Sequence, residues 1–253
     1  MKAVPKMFIY AKRFYKIIAL IIIAAIICIS FIYAKKIYSN ADFGKTFGPK
    51  AIVAEKKLHA MQNNFVLCAG MCNSDTKFMQ SIVFPEVMRF NSLKDGVEAE
   101  SLRTLYVQFG KQYANFSIGL FQMKPTFAEE VETKAKQLLP DSILKELQLS
   151  YSAGDEESIR SERVERLQDE DWQLVYLTAF VSICNKLYAN KKILSSTEKL
   201  QWYATVYNAG FDKTDAFIKK KIKEDNFYLS QNMPGKKFKY AAIAGWFYNK
   251  TNN

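Results

Sequence analysis

The sequence predicts a mainly α fold on three observations. Apolar residues recur at helical spacing in several stretches, helix-start and helix-stop residues bracket those stretches, and no stretch alternates polar and apolar residues long enough to demand a sheet. With 253 residues, 49% of them hydrophobic, the chain can bury one substantial core and carry a shorter appendage.

The appendage comes first. Residues 1–16 hold Lys2, Lys6, Lys12, Arg13 and Lys16 with no acidic residue, and residues 17–34 follow without a charge. At a rise of about 1.5 Å per residue, that run is about the shortest helix that spans a hydrocarbon core, and the basic flank favours a cytoplasmic N-terminus. A cleaved signal peptide is the competing reading. The apolar run exceeds a usual signal core, Ile32 stands where cleavage after Ala34 would need a small residue, and Ile27 before Cys28 does not suit a lipoprotein signal. An uncleaved transmembrane anchor over 17–34 is therefore expected, with the rest of the chain outside the cytoplasmic membrane. Residues 35–49 contain Gly44 and Gly48 and little periodicity, so they read as a linker, and 50–253 as one globular domain.

The formal net charge is +11, but seven basic residues precede Asn40, and beyond them 29 basic residues exceed 25 acidic ones only by four. So mild an excess suits an anionic polymer or membrane surface and argues little for nucleic acid. Of the four cysteines, Cys28 lies in the apolar run and Cys184 in an apolar helix, where a buried free thiol is the default. Cys68 and Cys72 are spaced for a small local disulfide if they face an oxidising space. His59 is the one histidine, which leaves too few ligands for a metal site and no Ser-His-Asp or Cys-His mechanism. No cofactor is expected, and any chemistry must run on carboxylates.

Along the domain, "SIVFPEVMRFN" embeds Glu86 among Phe84, Val87, Met88 and Phe90. Apolar surroundings disfavour a charged carboxylate and so suit a general acid; the plainer reading turns Glu86 to solvent or pairs it with Arg89. Leu102, Leu105, Tyr106 and Phe109 read as the buried stripe of a helix that stops at Gly110. Thr126 with Glu129, and Ser195 with Glu198, form capping boxes that start two more helices, the second ending near Gly210. Residues 155–171, rich in acids and arginines, read as a solvated face, and 169–190 as the central buried helix. Trp172, Trp202 and Trp246 read as core, and the basic, aromatic tail from Phe217 as a solvated helical face with a packed C-terminus.

Three of these stretches occur in a telling order: Glu86, then "GLFQMKPT" over 119–126, then "VYNAG" over 206–210. Together they resemble the lytic transglycosylases (SLT-type) of the lysozyme-like superfamily, whose domains carry a catalytic glutamate at a helix end, then G-L-M-Q-x-x-P-x-T, then A-Y-N-A-G. The resemblance covers roughly 75–211. It departs at the glutamate, where the family's E-S-x-F-N-P is replaced by Glu86, Val87, Met88, Arg89, Phe90 and Asn91. It departs also in the interval from Glu86 to Gly119, about twice the family's, which leaves Glu98 and Glu100 as rival acids.

The resemblance implies a lysozyme-like helical domain, with an N-terminal transmembrane helix, that cleaves peptidoglycan (murein) from the periplasm or cell-wall side of a bacterial inner membrane. In it Glu86 protonates the bond between N-acetylmuramic acid and N-acetylglucosamine and then takes a proton from the 6-hydroxyl, closing a 1,6-anhydro ring. Ser117, Gly119, Gln122, Tyr207 and Asn208 would line the sugar cleft, Gly119 by letting bare backbone approach the substrate. Two readings stay open beside it. One is a hydrolytic muramidase with Asp95, Glu98 or Glu100 as second carboxylate, and the other a scaffold that binds peptidoglycan without cutting it.

Overall fold

The computed structural model describes residues 6–90, 102–152, 154–191, 195–229 and 237–250; within 6–44, side chains are described at 18, 21–30 and 43. The described chain is mainly α-helical, with two isolated β-bridges, Ile118 with Met123 and Phe227 with Phe238. It divides into two compact units, Met1–Gly48 and Pro49–Asn253.

The first helix, α1 (Lys6–Ala60), runs through both the expected anchor and the expected linker, so 35–49 is helical where a loop was expected. The glycines break it at one point only: Gly48 has φ 23° and ψ −107°, and Pro49 follows. A proline has no N–H for the preceding turn, which makes the break the place where the two units divide. In the first unit, Ile21, Ile22, Ile23, Ile26, Ile27 and Ile29 are all more than half exposed. Among the described residues no helix is long and apolar enough to cross a membrane.

The second unit is built around α8 (Glu170–Leu187), as 169–190 predicted. Ten of its residues are buried, and Asp169 caps its N-terminus by accepting from the Trp172 N–H at 2.9 Å. α2 (Gln62–Met71), α5 (Pro125–Leu138) and α7 (Glu156–Gln168) pack on it. A second group sets α3 (Thr76–Arg89) against α2, α9 (Ser196–Ala209) and α11 (Tyr240–Asn249). α3 is buried without interruption from Phe78 to Met88, and Phe84 stacks on Phe247 of α11 at 3.9 Å. α4 (102–109), α6 (Asp141–Leu147) and α10 (Asp215–Lys223) complete the set.

Several expectations need correction. Ser195 does cap α9, accepting from the Glu198 N–H at 3.2 Å, but Thr126 caps nothing. Its helix, α5, begins one residue earlier at Pro125 with Lys124 as N-cap, and the Thr126 hydroxyl instead donates to Asn115 at 2.9 Å. Proline is at home in a first helical position because its missing N–H would have no helical partner there. The α4 stripe is also misjudged: Tyr106 is fully buried, while Leu105 and Phe109 are 40% and 55% exposed.

The arginine-rich run over 155–171 is no simple solvated face. Arg163 and Arg166 of α7 are buried. Arg163 grips Glu132 of α5 with two nitrogens, at 2.9 and 2.6 Å, and donates to the Tyr106 hydroxyl at 2.8 Å. Tyr176 donates to the same Glu132 at 2.7 Å, and the Tyr151 hydroxyl bonds it too. Burial pushes the Tyr151 and Tyr176 phenols up, and the Glu132 charge adds to it, so both remain donors. Here the helical pattern concealed an internal ion pair that ties α5, α7 and α8 together.

Cys68 and Cys72 are free thiols, as is Cys184. Burial pushes Cys72 up to about 12 and Cys184 well above the ordinary thiol range. A neutral buried thiol does not attack reagents, so Cys72 and Cys184 should be modified by a maleimide only on unfolding; labelling of either in the native protein would contradict the packing. Arg163→Ala leaves the Glu132 charge buried with its cation gone. It should cost about 3–5 kcal/mol in a denaturant titration, against a few tenths for Arg103→Ala on the exposed pair with Glu165.

Candidate functional site

Glu86 stands in the last turns of α3 with 3% of its surface exposed. Its place follows from local chemistry. Pro85 has no N–H to offer the Ser81 carbonyl, which loosens the helix one residue before Glu86. The turn is held from outside by Tyr240 of α11, whose hydroxyl donates to the Ile82 carbonyl at 2.9 Å. One turn on, Arg89 Nη2 pairs with Glu86 Oε2 at 2.7 Å, and its guanidinium lies over the Phe227 ring at 5.1 Å. The carboxyl is buried, and it makes the pair with Arg89 that the plainer sequence reading gave it.

The second stretch forms a tight hairpin. Ile118 and Met123 exchange backbone hydrogen bonds of 2.8 and 3.0 Å, and between them the chain turns through Gly119 and Gln122, both with positive φ of 69° and 51°. What fixes the turn is Gln173 of α8. Its fully buried amide accepts from the Phe121 N–H at 2.7 Å and donates to the Leu167 carbonyl at 2.8 Å. A Cβ on Gly119 would lie 1.8 Å from Gln173 Nε2 and 2.6 Å from the Leu167 oxygen. Gly119 was expected to bring bare backbone to a ligand; the space it leaves is instead filled by Gln173. Gln122 likewise folds back, its Nε2 donating to the Gly119 carbonyl at 3.0 Å.

The third stretch closes on the second. Tyr207 of α9 is buried, and its hydroxyl donates to the Phe121 carbonyl at 2.8 Å. Burial pushes the Tyr207 and Tyr240 phenols well above the usual tyrosine range, and in both the Glu86 charge acts in the same direction while Arg89 opposes it. The hairpin bonds α9 through Tyr207, and α9 packs on α3, the helix that carries Glu86, although the three stretches lie far apart in the chain. Ser117 and Asn208, half-buried beside them, make no side-chain hydrogen bond among the described residues. Asp95, Glu98 and Glu100 lie outside the described residues.

Sequence reasoning missed Gln173 and Tyr240. The signal for Gln173 was an amide directly before the long apolar run of α8; Tyr240 gave none. No group of three or more His, Cys, Asp and Glu among the described residues is arranged to hold a metal.

Gly119→Ala should cost about 3 kcal/mol or more, since it combines a strained positive φ with overlap against a pinned amide; a loss under about 1 kcal/mol on denaturation would contradict the close approach. Tyr207→Phe strips a buried carbonyl of its donor and should cost about 1–3 kcal/mol by the same measurement. No protein-family model, curated protein or solved structure matches the chain.

Proposed function

We propose that the protein is a peptidoglycan lytic transglycosylase with a lysozyme-like catalytic domain, with Glu86 as its single catalytic acid and base. The observation that carries this is the arrangement of the three motif stretches: Tyr207 bonds the hairpin at Phe121, and its helix α9 packs on α3, which carries Glu86.

In this reading the Glu86 carboxyl gives its proton to the glycosidic oxygen as the bond from the muramic acid C1 breaks, and the sugar's own N-acetyl group stabilises the cation. The 6-hydroxyl oxygen then bonds to C1 and its proton returns to Glu86. No water enters the products. Proton transfer by a placed side chain supplies about 10² to 10⁴ in rate. Ser117, Gln122 and Asn208 would bound the sugar. The exposed isoleucines between 21 and 29, behind a basic flank, support anchoring by the N-terminal helix in the inner membrane, with the domain facing the wall. One observation favours a second reading: Glu86 is buried and paired with Arg89, as in a groove that binds glycan without cutting it.

Incubating full-length protein with purified sacculi and weighing the soluble products by mass spectrometry decides the matter. Wild type should release 1,6-anhydromuropeptides, and Glu86→Gln should lower the yield by about 10² or more. Reducing-end products would replace transglycosylation by hydrolysis. Sedimentation with sacculi without product, unchanged in Glu86→Gln, would establish the scaffold.

A further inference from the structure

Charge is unevenly spread along the chain beyond the N-terminal helix. Residues 40–210 hold 20 basic and 21 acidic residues, whereas 211–253 hold nine lysines against four acids. The whole positive excess beyond Asn40 therefore lies in the last 43 residues, and α10 carries four of those lysines within five positions.

Helix geometry sorts them. Ile218 is buried where α10 packs on α9 and α11. At about 3.6 residues per turn, Lys219, Lys220 and Lys223 fall on the outward arc together with Ala216 and Phe217, and all five are exposed. The nearby acids do little to neutralise this arc. Asp212 pairs with Lys213 and Asp215 with Lys191, while Glu224 meets Lys220 at 3.5 Å in solvent. Lys219 and Lys223 make no ion pair among the described residues.

We infer that the outward arc of α10 is a docking face for an anionic lipid surface, with Lys219, Lys220 and Lys223 meeting the headgroup phosphates and Phe217 entering between them. The inference does not need the reaction proposed above.

Charge complementarity is the first support. Lys219 and Lys223 stand one turn apart on the same side of a helix, where like charges repel. A sheet of negative headgroups turns that repulsion into attraction, and each lysine near such a surface adds to the binding. Phe217 is the second. Its ring is 40% exposed, with Lys213 Nζ 6.0 Å from its centre. It stands in the first turn of α10, where its N–H donates to the Thr214 cap at 3.2 Å, so the backbone beneath the ring is fixed. Charge alone would serve a soluble polyanion. A lipid surface uses the ring as well, because an apolar body can sink to headgroup depth while lysine stems reach the phosphates.

The plainer account is that the last-turn lysines complement the C-terminal dipole of α10. That covers Lys220, Lys221 and Lys223 and leaves Lys219 and the exposed ring without a task. It predicts no dependence on the charge of a lipid.

Full-length protein is reconstituted with vesicles of phosphatidylcholine, either alone or with roughly one lipid in three replaced by phosphatidylglycerol. Lysines are acetylated with a membrane-impermeant reagent and the rate at each is read by mass spectrometry. Reading single residues separates contact at α10 from any attachment through the N-terminal helix, which is the same in both vesicles. Lys219, Lys220 and Lys223 should react at least about fivefold more slowly with the anionic vesicles. Lys136 of α5 and Lys145 of α6, also exposed, should not change. Salt at about 1 M, where charges are screened beyond about 3 Å, should restore the rates.

Lys219→Glu combined with Lys223→Glu reverses the arc at two exposed positions, and the shielding of Lys220 should disappear. Equal rates in the two lipids, slowing shared by Lys136 and Lys145, or shielding of Lys220 that survives the double variant would overturn the inference. Equal shielding by soluble polyphosphate in detergent would also overturn it, assigning the face to a polymer. The sacculus products judge the reaction and these rates judge the face, so either can fail alone.

Discussion

The site depends on a single buried amide. Gln173 lies in the first turn of α8 with its side chain fully buried, where an amide left without partners would cost about 1–3 kcal/mol for each polar group. It is satisfied by holding the Phe121 N–H with its oxygen and the Leu167 carbonyl with its nitrogen. Both bonds require the hairpin to approach α8 so closely that residue 119 has no room for a side chain. The turn in that position aims the Phe121 carbonyl at α9, where Tyr207 meets it, and α9 packs on α3, the helix of Glu86. The demand of one amide for partners thus runs through backbone geometry to the seat of Tyr207.

Two buried glutamates meet different surroundings. Glu132 receives both nitrogens of a buried arginine together with the hydroxyls of Tyr151 and Tyr176. Its work is to join three helices, α5, α7 and α8. Glu86 meets an arginine from its own helix that is one-third in solvent.

The sequence made the central helix legible because apolar residues on every side admit no other placement, and the Ser195 cap legible because a hydroxyl three residues before a glutamate offers the free N–H groups an acceptor. It misled at Thr126, where Pro125 already begins the helix and the hydroxyl has a nearer partner in Asn115. It misled again at Arg163 and Arg166. Charge in a helical run ordinarily means solvent, and only the third dimension brings Glu132, Tyr151 and the carbonyl of Ser150 to those guanidinium groups. The convergence of Glu86, the hairpin and Tyr207 was expected from motif order, but Tyr240 joins that site from a helix more than thirty residues past Tyr207, beyond any local pattern.

The motif residues also divide by task. Gly119 is committed to Gln173, the Gln122 amide nitrogen to its own turn, and the Tyr207 hydroxyl to the Phe121 carbonyl. These groups hold the hairpin against α8 and α9; a ligand that drew on them would have to break the bonds that do so. Ser117 and Asn208 make no side-chain hydrogen bond among the described residues, and a hydroxyl and an amide can each both donate and accept, so in the proposed reading selection among ligands would fall to them.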